Sequence, residues 1–367
     1  MSNFPQFNVN NEHQLIRRQN TYVLDRKLVT IHSEDRDINK WAHPNHFEVE
    51  LPEALTNVQS MRLVEIELPS NQYVFSNNNQ NTKMKFYLSG ISTPYSITIQ
   101  EGFYTPEQMA QEIENLMNAA VSSTYNNFTV YYDSVGQKMF FGNTSDNFTF
   151  KFYEKIEYDI SCNAIVDSNY SPNVWNQYTK WGLPSYLGFN KEKTSNPLEK
   201  DYTTTPIIDP SGYVFEYNNF TWLTPGLSGT AYYLSAPLVI CMSGESAIYM
   251  EFDKYNSMDE LKPYPISTSN MFNNDYNGSV NAAFAKIPVT SVPHSRVFDS
   301  RNNFLQNVSQ YHPPIDKIRK VKFKFRYHDG RLVDFQDCNF NFTIAFNQLR
   351  DEIARDYEIR VPAAYHL

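Results

Sequence analysis

The sequence predicts a mainly β protein: β-sandwich or jelly-roll-like units, one inserted amphipathic helix at about 105–120, and long irregular loops. Three observations carry this. Apolar and polar residues alternate one by one over many short stretches, as half-buried strands require. Aromatic residues are abundant, with 26 Phe, 26 Tyr and 4 Trp in 367 residues, and such side chains suit a pleated surface. Charged residues make up only 19% of the chain, below the usual ~25%; Asn, Ser and Thr supply polarity and turn chemistry instead.

Taken in order, residues 1–24 are polar, rich in Asn and Gln and without periodicity, which reads as an extended N-terminal arm. Next comes a polar span with His32, Asp35, Asp37, His43 and His46. In "FEVELP" Phe47, Val49 and Leu51 share one face, and Glu48 and Glu50 the other. "MRLVEIELP" loses phase between Leu63 and Val64, which predicts a β-bulge. "YSITIQ", "FTVYYD", "FTFKFY" and "NFNFTIAF" repeat the alternation; the last places Phe340, Phe342, Ile344 and Phe346 in one row. The helix is "TPEQMAQEIENLMNAA". Thr105 is its N-cap, Pro106 its first residue and Gln108 closes a capping box. Met109, Ile113, Leu116 and Ala120 then form an apolar stripe that lies on a sheet. In "KVKFKFRYHDGRLVDFQD" a three-residue loop, His328-Asp329-Gly330, sets Phe325 opposite Val333 and Lys324 opposite Asp334. That register separates apolar from charged residues, so a type I turn with Gly330 in the left-handed region is expected. In the tail, Leu349, Ile353 and Tyr357 are spaced as on a short helix that docks on something.

The domain plan is sequential: an arm at 1–24, a β-rich unit with the helix at 25–190, a linker or loop at 191–212, a second β-rich unit at 213–350 and a C-terminal docking tail at 351–367. A proline-bearing irregular stretch runs from about 262 to 315.

A net charge of −9 and a pI near 5.4 do not steer the chain globally towards nucleic acid. The longest apolar run, 231–242, is too short to span a bilayer. Cys162, Cys241 and Cys338 form no Cys-x-x-Cys pair and read as small buried thiols of a reducing compartment.

Candidate chemistry is sparse. The histidines near residue 40 lack Cys neighbours and helical spacing, and Pro44-Asn45 favours a turn, so a polar turn is expected there rather than zinc. Glu48 with Glu50, and Glu65 with Glu67, have the spacing of glycosidase carboxylates, but also that of any solvated sheet face. No nucleophile elbow, dinucleotide fingerprint or P-loop occurs. No catalytic residue, metal or cofactor is assigned. Lys320, Lys322, Lys324 and Arg326 alternate with apolar residues and make one basic strand face. It would contact an acidic protein neighbour, solubilise a sheet edge, or touch phosphate.

"SEDRD…FEVELPEALTNVQSMRLVEIELPSNQYVF", "ITIQEGFYTPEQMAQEIENLMN", "LGF" at 187–189 and "KIRKVKFKFRYHDGRLVDFQDCNFNFTIAF" together resemble blocks of the minor capsid proteins of large icosahedral double-stranded DNA viruses, of the chlorella virus and giant virus type. The resemblance implies a non-enzymatic cement or scaffold protein made of β-sandwich or jelly-roll units, acting in the virion beneath the major capsid. Implied partners are major capsid capsomers and other minor capsid proteins, with the inner viral membrane a further candidate and no specific nucleic acid. The alternative is a carbohydrate-binding or carbohydrate-cleaving β-sandwich, using Trp41, Trp175, Trp181 and Trp222 to stack on sugar rings.

Overall fold

Most of the alternating stretches are strands in the computed structural model, which describes residues 22–69, 73–79, 81–152, 182–190, 201–208, 222–223, 230–261, 280–289 and 308–351; the arm after the 328–330 turn is an exception, joined to β15 by a single bridge at Leu332. In chain order the strands are β1 (Tyr22–His32), β2 (His46–Glu67), β3 (Lys83–Leu88), β4 (Tyr95–Thr98), β5 (Phe128–Asp133), β6 (Lys138–Asn143), β7 (Phe148–Lys151), β8 (Asp201–Thr203), β9 (Thr205–Ile208), β10 (Thr230–Ser235), β11 (Ala247–Phe252), β12 (Met258–Leu261), β13 (Val280–Ala283), β14 (Ala285–Pro288), β15 (Val308–Arg326) and β16 (Asn341–Asp351). Helix α1 (Pro106–Ala120) lies between β4 and β5, and the single turn α2 (Leu183–Tyr186) between β7 and β8.

The chain forms two units, and they are not sequential. One comprises Met1–Gln72, Ala247–Lys262 and Gly278–Leu367; the other comprises Tyr73–Ser246 and Pro263–Asn277. This corrects the division at 191–212. Alternation shows that a segment is a strand but does not say which strand it pairs with, and β2 pairs with β15 and β16 from the far end of the chain. Part of the expected linker is itself strand, as β8 and β9.

The first unit is built on an antiparallel sheet in the order β1-β16-β2-β15-β11-β14. Its longest strands bend sharply. Phe47 and Ile66 both lie on β2, 19 steps apart, which is about 63 Å of straight strand. Phe47 pairs with Phe323 and Ile66 with Phe342, yet the rings of Phe323 and Phe342 are only 4.8 Å apart. The sheet is therefore rolled over its own apolar face. The bends are visible in the register. Lys320 faces Glu50 but Ile318 faces Leu55, so residues 51–54 of β2 stand against Arg319 alone. Asn57 adopts a positive φ of 52°. On β15 the register jumps between Gln310 and Ile315; Pro313 and Pro314 fall in that gap, where no ladder donor is needed. This also corrects the irregular stretch expected up to 315, since β15 begins at Val308.

The bulge predicted in β2 is present: Ile344 pairs with Leu63 and Thr343 with Glu65, leaving Val64 extra. The row Phe340, Phe342, Ile344 and Phe346 is buried, against Phe47, Phe323 and Phe325 among others. The helix expected around Leu349 is instead the end of β16, because residues 347–351 pair with β1. The strand β1 starts at Tyr22, so 22–24 are not arm; the rest of the arm, and the tail beyond 351, lie outside the described residues.

In the second unit, sheets β5-β6-β10-β9 and β4-β3-β7-β8 share one core. It includes Phe86, Ile97, Phe128, Phe141 and Phe150, together with Met109, Ile113 and Met117 of α1. The chain passes from one sheet to the other at Thr204: Thr203 pairs with β7, and Thr205 with β10. This is a β-sandwich with the helix α1 and the single turn α2. Gly188 approaches the segment after β10, where a Cβ would clash with the Leu238 carbonyl oxygen; its φ is +90°.

The helix opens as the sequence requires. The Thr105 side chain accepts from Gln108 N–H at 3.2 Å, and Gln108 Oε1 accepts from Thr105 N–H at 2.9 Å. The buried stripe is Met109, Ala110, Ile113 and Met117, with Leu116 and Ala120 only partly covered. Replacing Thr105 with Ala is expected to lower stability by about 1 kcal/mol, read as a reduced urea midpoint at unchanged slope.

Candidate functional site

The basic face of β15 is partly paired with carboxylates. Lys320 Nζ lies 3.9 Å from Glu48 and Lys324 Nζ 3.8 Å from Glu251. Lys322 Nζ sits 5.3 Å from the centre of the Trp41 ring, and Lys40 Nζ 5.2 Å from it. Lys40 also pairs with Glu48 at 3.8 Å, and Arg319 with Glu50 at 2.7 Å. The cause is local: in the antiparallel register Lys320 faces Glu50 and Lys322 faces Glu48, and alternation puts all four on one side. Of the readings left open for this face, edge protection does not fit Lys324, which lies where β15 is flanked by both β2 and β11, or Arg326, which pairs with β11 and is buried.

Arg326 departs from the pattern. It is only 2% exposed, although it continues the same row as the lysines. Its Nε donates to Glu251. Its Nη1 donates to Glu260 Oε2 at 2.7 Å and to the Tyr327 carbonyl at 3.2 Å. The guanidinium lies 5.2 Å from the centre of the Tyr249 ring. The other Glu260 oxygen bonds to His328 Nδ1. Arg326 Nη2 has no hydrogen-bond partner among the described residues.

Burial acts to raise the Glu260 carboxyl, but hydrogen bonds from His328 and Arg326, with the charge of Arg326, outweigh it and hold the group below the usual glutamate range. The Tyr249 hydroxyl is pushed up to about 12 by burial, then by the charge of Glu260 and a hydrogen bond to it. His46, against Trp41 at 4.6 Å, is lowered by burial and by Lys322 and Lys324. The Arg326 network thus fastens β12, which carries Glu260, to β11 and the end of β15. A carboxylate held ionised by a guanidinium is suited to fixing position rather than to moving a proton.

Sequence reasoning placed Arg326 on the basic face and overlooked Tyr249, Glu251, Glu260 and His328. The signal for two of them was present, because "AIYMEF" alternates and puts Tyr249 and Glu251 on one face. Nothing in "MDEL" marks Glu260.

The adjoining turn is held by Asp329, which accepts from Arg331 N–H at 3.1 Å and Arg331 Nε at 2.6 Å. Gly330 has a φ of +91° and donates to the Tyr327 carbonyl at 3.1 Å. Val333 N–H donates to the Phe325 carbonyl, and Arg326 bridges Leu332.

The histidines near residue 40 go separate ways. His43 Nδ1 is 3.1 Å from Asp337, while His32 lies 3.9 Å from Glu34. Among the described residues no three His, Cys, Asp or Glu side chains group as a metal set. The turn is organised by Arg36, which donates to the carbonyls of Ser33, Trp41 and Ala42 and to Asn339. Asp37 accepts from Asn39 N–H, as a polar turn requires.

Comparison with known proteins yields only distant likenesses. No protein-family model and no curated protein matches this chain. Among solved structures, a chain of the Sputnik virophage, determined by cryo-electron microscopy, aligns at 11% identity with a TM-score of 0.43; 88% of this chain and 98% of that chain are covered. The mavirus penton protein aligns at 8% identity with a TM-score of 0.38, covering 89% and 98%. Likenesses this remote set neither fold nor function.

Of the tryptophans, Trp41 is flanked by two lysines and His46, and Trp222 stacks on Tyr131 at 5.6 Å, nearly parallel. Both rings therefore have close neighbours where a sugar would stack. Trp175 and Trp181 lie outside the described residues. Cys241 and Cys338 are exposed, which corrects the expectation of buried thiols: neither lies on a strand, Cys241 falling between β10 and β11 and Cys338 following a turn with positive φ at Gln336 and Asp337, before β16 begins at Asn341. Cys162 lies outside the described residues. No described helix is long and apolar enough to cross a membrane.

Proposed function

We propose that this chain is a structural capsid protein of a large icosahedral double-stranded DNA virus, a minor component that lies under the major capsid capsomers and ties them together. Its partners in this reading are those capsomers and other minor capsid proteins, with the inner viral membrane as a further contact. It acts in the virion and performs no catalysis.

One observation carries the reading: four sequence blocks in the order and spacing of minor capsid proteins. The first and last of these supply β2, the second half of β15 and the start of β16, three adjacent strands of the rolled sheet. The other two fall in the second unit, one of them on α1. Contact with nucleic acid through 320–326 is less favoured, since Lys320 and Lys324 each have a carboxylate within 4 Å and Arg326 is buried.

Quantitative mass spectrometry of purified particles tests the reading. The protein is expected in fixed stoichiometry with the major capsid protein. Trace amounts that wash away with salt would overturn it.

A further inference from the structure

Strand β1 ends the rolled sheet, and among the described residues no other strand pairs with its outer side. It is 11 residues long and pairs with β16 in unbroken register from Tyr22 to His32, with no bulge, proline or glycine. Long regular edges of this kind are templates for another strand.

The direction of its backbone groups follows from the register. Ser33 N–H donates to the Phe340 carbonyl at 2.8 Å, one step beyond the pair His32 and Asn341. Hydrogen-bonded pairs alternate in an antiparallel ladder, so the odd-numbered residues of β1 bond to β16. The even-numbered ones, including Arg26, Leu28 and Thr30, direct N–H and C=O outward. Side-chain contacts agree: Thr30 Oγ1 lies 3.0 Å from Thr343 Oγ1, and Arg26 reaches Asn347 at 3.2 Å, as expected for non-hydrogen-bonded pairs, where side chains come closest. Leu28 is 58% exposed at the centre of this edge.

We propose that β1 pairs antiparallel with β1 of a second copy of this chain, about a twofold axis at Arg26. Parity allows this register, because it sets even residues opposite even residues. Charge selects it. Asp25 of each copy then stands opposite Lys27 of the other, twice per dimer, and Val29 stands opposite Val23. Moving the axis to Lys27 would set Lys27 against itself, and moving it to Asp25 would set Asp25 against itself. The favoured register carries one like-charged pair, Arg26 with Arg26, whose long side chains can diverge on the outer face. Lys27 also contacts Glu53 within its own chain; that pair is largely exposed and contributes little.

This goes beyond the capsid reading and does not depend on it. Sedimentation equilibrium of the full chain is expected to show a concentration-dependent dimer, with Leu28 and Thr30 amides protected from hydrogen exchange only as dimer forms. Asp25→Lys is expected to weaken dimerisation by about tenfold, because two attractive pairs become repulsive. Adding Lys27→Asp to that variant restores the pairs with signs exchanged and should recover the dimer. Leu28→Pro removes an outward donor and should abolish pairing while leaving the β16 ladder intact. A monomer at all concentrations, or a dimer indifferent to both Asp25→Lys and Leu28→Pro, overturns the proposal. Neither result would alter the abundance of the protein in particles.

Discussion

Replacing Arg326 with Ala should lower the stability of the first unit by about 3–5 kcal/mol, the cost of leaving a buried charge without its partner. Glu260 is buried and shares its two oxygens between Arg326 and His328. Removing the guanidinium leaves that carboxylate in a site where burial alone would raise its pKa. The double replacement Arg326→Met with Glu260→Leu should recover most of the loss, since it removes both charges and keeps volume; Glu251 retains Lys324 at 3.8 Å. Urea unfolding of the three proteins measures this. The same network sets an acid limb. The folded-state value of Glu260 lies below its ordinary 4.5, so its contribution is complete above about pH 4.5 and is lost as pH falls through the lower folded value. Glu260→Gln should flatten that limb. An Arg326→Ala protein as stable as the parent would show that the guanidinium does not hold β12 in place.

How much of this could be read from the chain depends on which interactions are local. The capping box of α1 involves residues three apart, and the bulge at Val64 is a break of phase within one strand; both are visible without knowing any partner. The loop at 328–330 was selected by matching residues on either side of one turn. Pairings between distant segments leave no such trace. Alternation in 47–51 and in 320–326 shows two faces in each, but only the register of β2 with β15 reveals that the lysines meet Glu48 and Glu50. Arg326 sits in the same row as Lys324, and only the packing of β12 distinguishes a buried ion pair from a solvated one. The non-sequential units have the same origin. The helix expected from the spacing of Leu349, Ile353 and Tyr357 does not start at Leu349 for a related reason: that spacing carries no trace of a partner, and 347–351 pairs with 22–26; Ile353 and Tyr357 lie outside the described residues.

Phe323→Ala should cost the first unit about 3–5 kcal/mol, the range for truncating a fully buried aromatic ring. Phe323 has no exposed surface and touches rings on three strands: Phe252 at 4.8 Å, Phe342 at 4.8 Å and Phe47 at 5.9 Å. The contact with Phe342 carries the most information. In the sheet Phe342 pairs with Ile66 and Phe323 with Phe47, positions far apart along β2. In a flat sheet the two rings would be remote, and the losses from Phe323→Ala and Phe342→Ala would add. In the rolled sheet they share one cavity, and the double variant should deviate from additivity by more than about 0.5 kcal/mol. The two single variants, the double variant and the parent, compared by urea unfolding at constant slope, measure the coupling. A coupling near zero would mean that β2 does not double back over its own apolar face, and the rolled sheet would have to be abandoned with it.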